Sequence, residues 1–216
     1  CLVGSEMCIR DSCGTAGHFW RENKVTIGTG TTDCNSNRLR LEVASSGDIR
    51  IGKKAKEIWV GYYFYVPNTP GNLEDKLLQP YITQFYSVNR KGGQTVGGYA
   101  PQFSASIYNG KLSIEGNHVI DEKNLKGKWH KVEFNIRYSK QYDGFIKVYI
   151  NDELKVNRSG FKTASHDYVD IKYGTYSHPE YGGASYPEGY QFPSHTIYFA
   201  GFSMNKDRSK LIISKK

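Results

Sequence analysis

The sequence predicts an all-β protein: a two-sheet β-jelly roll whose one concave face forms a groove. Three observations carry that prediction. Segments of alternating apolar and polar residues recur, with turn signals about ten residues apart. Tyr is abundant and Met scarce, 17 against 2, with 23 Gly, which suits strands and turns better than a helical bundle. No stretch carries the sustained periodicity of a long amphipathic helix. No linker-like break or internal repeat divides the 216 residues, so about eight to twelve strands in one domain are expected.

The strands follow in order. "RLRLEV" (38–43) alternates Leu39, Leu41 and Val43 against Arg38, Arg40 and Glu42. "EIWVGYYFYV" (57–66) is aromatic and β-branched and stops at Pro67. "YITQFYSV" (81–88) is a further strand, and "NRKGGQTVGG" (89–98) reads as a mobile, basic, Gly-rich loop. "QFSASIYNGKLSIEG" (102–116) folds as a hairpin about Asn109-Gly110, because that pair accepts the positive φ angles of a tight turn. "KWHKVEFNIRYS" (128–139) puts Val132, Phe134, Ile136 and Tyr138 on one face. "FIKVYIND" (145–152) returns with Ile146, Val148 and Ile150 inward, and "DIKYGTYS" (170–177) and "HTIYFAGFSM" (195–204) complete the set.

Charge bounds the partners. With 29 Lys and Arg against 21 Asp and Glu, the net charge is +8, and such a surface attracts polyanions. No helix-turn-helix, zinc-finger or RNP-type pattern supports nucleic acid, and no apolar run approaches the roughly 20 residues of a membrane span. Apart from Lys53, Lys54 and Lys56 the cations are scattered. The four cysteines, Cys1, Cys8, Cys13 and Cys34, lack C-x-x-C spacing, which argues against zinc. A Cys13–Cys34 disulfide would tie down the N-terminal segment of an exported protein. The opening "CLVGSEMCIRDS" resembles read-through of a sequencing adapter of the kind found in proteins assembled from environmental DNA. Residues 1–12 are therefore expected to be a non-native leader, with 13–216 a single domain.

Three strands carry polar residues at alternate positions. They are Arg38, Arg40 and Glu42; Gln84 and Tyr86; and Lys172 and Tyr176 with Gly174 between them. A strand glycine marks either a bulge or a close approach by a ligand. Together these residues suit elimination in an acidic sugar. Arg and Gln can neutralise a uronate carboxylate by charge-assisted hydrogen bonding. A tyrosine among cations can take the C5 proton and protonate the leaving C4 oxygen. Of the six histidines, His130 reads as structural. His118, near a turn, and His178, on the face of Tyr176, are the candidates to supplement the base, while His18, His166 and His195 read as loop or strand-edge residues.

The order "RLEV" (40–43), "QFY" (84–86) and "DIKYGTYSH" (170–178) resembles the jelly-roll polysaccharide lyases: the alginate lyases of family 7 and the related heparin lyase I and glucuronan lyase group. Their motifs are R-[ST]-E-L, Q-[IV]-H and Y-F-K-A-G-x-Y-N-Q. "GKWHKVEFNIRYSKQYDGFIKVYIND" is similar to a stretch of the heparin and glucuronan group, so the likeness spans roughly residues 35–200. The resemblance implies a concanavalin-like sandwich with Tyr176, Arg40 and Gln84 as the catalytic set. Lys172, Tyr86, Arg38, Glu42, His178 and His118 would then contact substrate. Tyr86 stands where the family has His, and Asp170 and His178 stand where it has Tyr and Gln. Without that His, syn-elimination by one tyrosine is expected, favouring glucuronate or mannuronate over guluronate.

The resemblance also implies an acidic polysaccharide as partner, a secreted or periplasmic location, a monomer and no required cofactor, a structural Ca²⁺ being known in some relatives. Two rivals share the fold. A glycoside hydrolase needs two carboxylates about 5–5.5 Å apart, and the E-x-D-x-x-E signature is absent. A lectin-like binding module would stack sugars on Trp20, Trp59 or tyrosines. Convergence of Tyr176, Arg40 and Gln84 in one cleft separates a lyase from a binding module.

Overall fold

The computed structural model describes residues 24–27, 39–44, 49–50, 55–91, 94–97, 101–177, 193 and 195–214. Alternation drives the architecture. Val132, Phe134, Ile136 and Tyr138 of β10 (Trp129–Tyr138) are all fully buried, and so are Val60, Tyr62 and Phe64 of β4 (Lys56–Tyr65). Two antiparallel sheets result. The back sheet has the order β1 (Lys24–Ile27), β14 (His195–Asn205), β4, β10, β11 (Gly144–Ile150), β12 (Glu153–Phe161). The front sheet has the order β2 (Leu39–Ala44), β13 (Tyr168–Ser177), β5 (Tyr81–Lys91), β7 (Pro101–Tyr108), β8 (Lys111–Ile114), β9 (Asn117–Ile120). Two short strands add to it, β3 (Ile49–Arg50) on β13 and β6 (Gln94–Gly97) on β5. The described residues hold one four-residue helix, α1 (Glu122–Leu125), and none long and apolar enough to cross a membrane.

The core fills the space between the sheets. Phe85 of the front sheet packs edge-on against Phe134 of the back sheet with centroids 4.9 Å apart, and Tyr173 stacks on Phe202 at 4.4 Å. Burying each such ring contributes about 1.5–3 kcal/mol. The Tyr62 hydroxyl and Thr83 Oγ1 share a 2.5 Å hydrogen bond across the interior, and burial pushes the Tyr62 phenol well above its ordinary range.

Local signals match the turns. Asn109 and Gly110 have φ of 49° and 72° between β7 and β8, the geometry of a two-residue hairpin. Two expectations need correction. The stretch 89–98 is not simply a loop: β5 continues to Lys91 and pairs back with β6. The described residues form fourteen strands, more than the eight to twelve expected. β12 escaped notice because it is an edge strand with mostly exposed side chains, which leaves little hydrophobic alternation to see. The cysteines, Trp20 and the adapter-like opening lie outside the described residues.

Candidate active site

The same alternation that buries one side of the front sheet presents the other. Phe85 and Tyr173 point into the core and are essentially inaccessible; their neighbours Gln84, Tyr86 and Lys172 therefore face outward. Directly paired residues share a face, and the register gathers the motifs. Lys172 pairs with Gln84 and Asp170 with Tyr86 on β5. On the other side of β13, Tyr176 pairs with Arg40 and Gly174 with Glu42. Three segments far apart in sequence thus meet on adjacent strands β2, β13 and β5.

Electrostatics fix the lysine. Lys172 Nζ lies 3.9 Å from Glu42, whose side chain is nearly buried, and 4.6 Å from the centroid of the Tyr86 ring. Asp170 is held by Arg90 of β5 in an ion pair, so it is already engaged inside the protein. Gln84 is 2% exposed, and its Oε1 has no hydrogen-bond partner among the described residues. A buried amide oxygen left unpaired costs about 1–3 kcal/mol, which marks Gln84 as a group kept for something other than stability. Tyr176 is 7% exposed, and its ring lies beside that of Tyr81, centroids 6.1 Å apart.

A cleft of about 430 Å³ opens from Tyr81 across β7 and β8 to β9. Gln79, Ser104, Ser106 and Tyr108 line one part of it, and Ser113, Glu115, Gly116 and His118 the other. Ser113 Oγ and His118 Nδ1 share a 2.8 Å hydrogen bond. Glu115 accepts from the Ser104 backbone N–H at 3.2 Å and meets Arg158 at 3.3 Å; burial raises its carboxyl above the ordinary value.

The sequence-derived candidates fare differently. Gln84, Tyr86, Lys172 and Glu42 come together around the lysine; Tyr176 lies on the same face of β13, four residues further along the strand, with the backbone of Arg40 in register. Arg38 and His178 lie outside the described residues. His118 occupies the groove face but not the neighbourhood of Tyr176. The lateral row runs Tyr176, Tyr81, Ser106, Ser113, His118 over β13, β5, β7, β8 and β9. Four steps of ~4.8 Å put it roughly 19 Å away, which corrects its reading as a base for the same proton. Gly174 has a backbone reason to be glycine. Its φ is 136°, and it sits where β13 slips register against β5 between Tyr173 and Tyr176, so the bulge explains it without invoking a ligand.

His130 is structural as expected, stacked on Phe64 and hydrogen-bonded through Nε2 to the Leu125 carbonyl. His195 stands at the edge of β14, as its first residue, but is not exposed there. It is 1% exposed and shares a 2.6 Å hydrogen bond with Thr175 Oγ1. Burial pushes its pKa down to about 4.

Tyr81 is the site residue that sequence reading missed. Three positions from Gln84, it should by strict alternation face the core. The irregularity between Tyr81 and Thr83 in the β5–β7 ladder inserts Ile82 and returns Tyr81 to the groove. Ser113 and Glu115 were missed for a simpler reason: serines and a turn glutamate carry no motif. Among the described residues no three His, Cys, Asp or Glu side chains gather to hold a metal.

Solved structures with the same fold include an endo-β-1,4-glucuronan lyase from the fungus Trichoderma reesei. It is 15% identical, with TM-score 0.59 over 87% of this chain and 83% of that one. Alginate lyase Aly36B in complex with alginate trisaccharide is 14% identical, with TM-score 0.56 over 86% and 81%. Alginate lyase vAL-1 from Chlorella virus is 11% identical, with TM-score 0.55 over 90% and 89%. No sequence among curated proteins matches the chain. The family model for polysaccharide lyase matches residues 21–203, most of the chain. With this jelly roll and this match, the protein belongs to the polysaccharide lyase family.

Proposed function

We propose that the protein is an endo-acting lyase that cuts a glucuronate- or mannuronate-containing polysaccharide by syn β-elimination. Tyr176 takes the C5 proton of the uronate, the C4–O bond breaks, a C4=C5 double bond forms, and the proton returns to the departing oxygen. Arg40 and Gln84 bind and neutralise the carboxylate, which makes the C5 proton removable. Lys172, steadied by Glu42 and Tyr86, contributes positive field on the same strand face as the tyrosine. Both bond-making partners lie on one face of the sugar, so one tyrosine oxygen serves twice, as the phenolate that takes the C5 proton and then as the phenol that gives it to the C4 oxygen.

The observation that carries this reading is the register: Arg40 opposite Tyr176, with Gln84 opposite Lys172 on the next ladder. The reaction needs no organic cofactor. A polymer substrate suits a monomer acting outside the cell. The test is incubation with glucuronan, polymannuronate, polyguluronate and heparin-type chains, followed by ultraviolet absorbance of the unsaturated uronate. Release from glucuronan or another glucuronate- or mannuronate-containing chain is expected. Silence on every uronate polymer rejects the lyase role, and activity on polyguluronate alone rejects syn-elimination.

A further inference from the structure

The strand that carries Tyr176 is bulged immediately before it. On β13, Tyr173 pairs with Thr83 of β5 and Tyr176 with Tyr81, so Gly174 and Thr175 together stand opposite the single residue Ile82. On the other side β2 follows without interruption, Gly174 opposite Glu42 and Thr175 opposite Leu41. A bulge bends its strand and re-aims the side chains beside it, so the seat of the extra residue sets the direction in which Tyr176 leaves the strand. Thr175 is fully buried. Its Oγ1 lies 2.6 Å from Nε2 of His195, the first residue of β14 in the back sheet. We infer that His195 is a positioning residue for Tyr176: through Thr175 it pins the bulge across the sandwich and so fixes where the proton-transfer group stands in the groove. This rests on the lyase reading and adds to it a residue from the opposite sheet.

The chemistry of the pair gives the bond a direction. His195 Nδ1 faces the Pro193 carbonyl at 3.4 Å, and a carbonyl only accepts, so Nδ1 carries the proton. Nε2 is then the acceptor and the Thr175 hydroxyl the donor. Burial keeps the ring in that neutral form, with its pKa pushed down to about 4. His195 is as deeply buried as its partner, and breaking the bond would strand a polar atom on each side, so both groups resist leaving it. Tyr173 and Tyr176 keep their ladder partners on β5, while the two-against-one step between them is locally disrupted. The cross-sheet bond falls at that step, one residue before the tyrosine. Proton transfer requires the oxygen within hydrogen-bond reach of the proton it takes, and a misplacement of about 1 Å can cost about a hundredfold in rate. A displaced bulge is thus felt in the chemical step, whereas binding of a polymer is spread over the whole groove face.

Two substitutions at Thr175 separate position from packing. Thr175→Val keeps the shape and loses the bond; Thr175→Ser keeps the bond and loses a methyl group. Both should lower the melting temperature. Kinetics are then measured on the full chain, well below each melting temperature, with the uronate polymer that the wild type cleaves best. Thr175→Val should lower kcat by about tenfold or more with KM within about twofold, and Thr175→Ser should keep kcat within about twofold. His195 offers the same contrast: His195→Gln, whose Oε1 can accept from Thr175, should retain kcat, and His195→Leu should lose it as Thr175→Val does. That second pair decides where Thr175→Val does not fold; if His195→Leu also fails to fold, the bond serves stability alone and the inference falls. Unchanged kcat in Thr175→Val, an equal loss in Thr175→Ser, or a rise in KM alone overturns the inference while the lyase reading stands. A wild type that cleaves no uronate polymer brings down both.

Discussion

The rings of Tyr176 and Tyr81 lie side by side on β13 and β5, centroids 6.1 Å apart and planes tilted by 32°. One of the two comes from a sequence motif; the other reaches the groove only through a bulge. Their contact holds the proposed proton-transfer residue through its ring.

Tyr176→Phe keeps that ring contact and removes the hydroxyl. Activity on the preferred polymer should fall by about 10²–10⁴-fold, with unfolding free energy changed by no more than about 1 kcal/mol. Steady-state kinetics and urea denaturation check both; a variant with full activity refutes the assigned role.

Gln84→Leu separates function from stability. Its Oε1 is buried and unpaired, so an apolar side chain of similar size should be neutral or mildly stabilising. Activity should nevertheless drop about a hundredfold, as when a donor to a developing anion is lost. A large fall in melting temperature would show that the amide is structural instead.

His195 makes stability depend on pH. Its folded pKa is depressed to about 4 from an ordinary 6.5, so in acid the unfolded chain binds a proton that the folded one refuses. The stability it contributes is complete above about pH 6.5 and is lost as pH falls toward about 4, up to about 3 kcal/mol. His130, also buried and lowered, acts with the same sign. Unfolding free energies at about pH 7 and about pH 4.5 should differ less in His195→Gln than in the wild type; an unchanged difference would contradict this.

Gly144→Ala tests the packing of β11. A Cβ there would come within 2.5 Å of the Phe161 carbonyl oxygen and 2.6 Å of Thr163 Oγ1, and a backbone atom cannot swing aside. A loss of about 1–3 kcal/mol is expected, read by denaturant melts. Because β11 belongs to the back sheet, kcat/KM on folded protein should be kept, and a selective loss of activity would be unexpected.

The sequence by itself determined the fold class, the inward faces of β4, β10 and β11, the Asn109-Gly110 turn and the motif residues of the groove. All of these follow from local rules: period-two alternation, and the φ angles that Asn and Gly tolerate. What only the tertiary structure decided was lateral position. Which strand lies beside which cannot be read from alternation, and it is lateral order that joins Arg40 to Tyr176 and removes His118 by four strands. Bulges were equally invisible. They shift a strand by one residue, so that Tyr81 turns to the groove against its own periodicity and Gly174 serves the backbone.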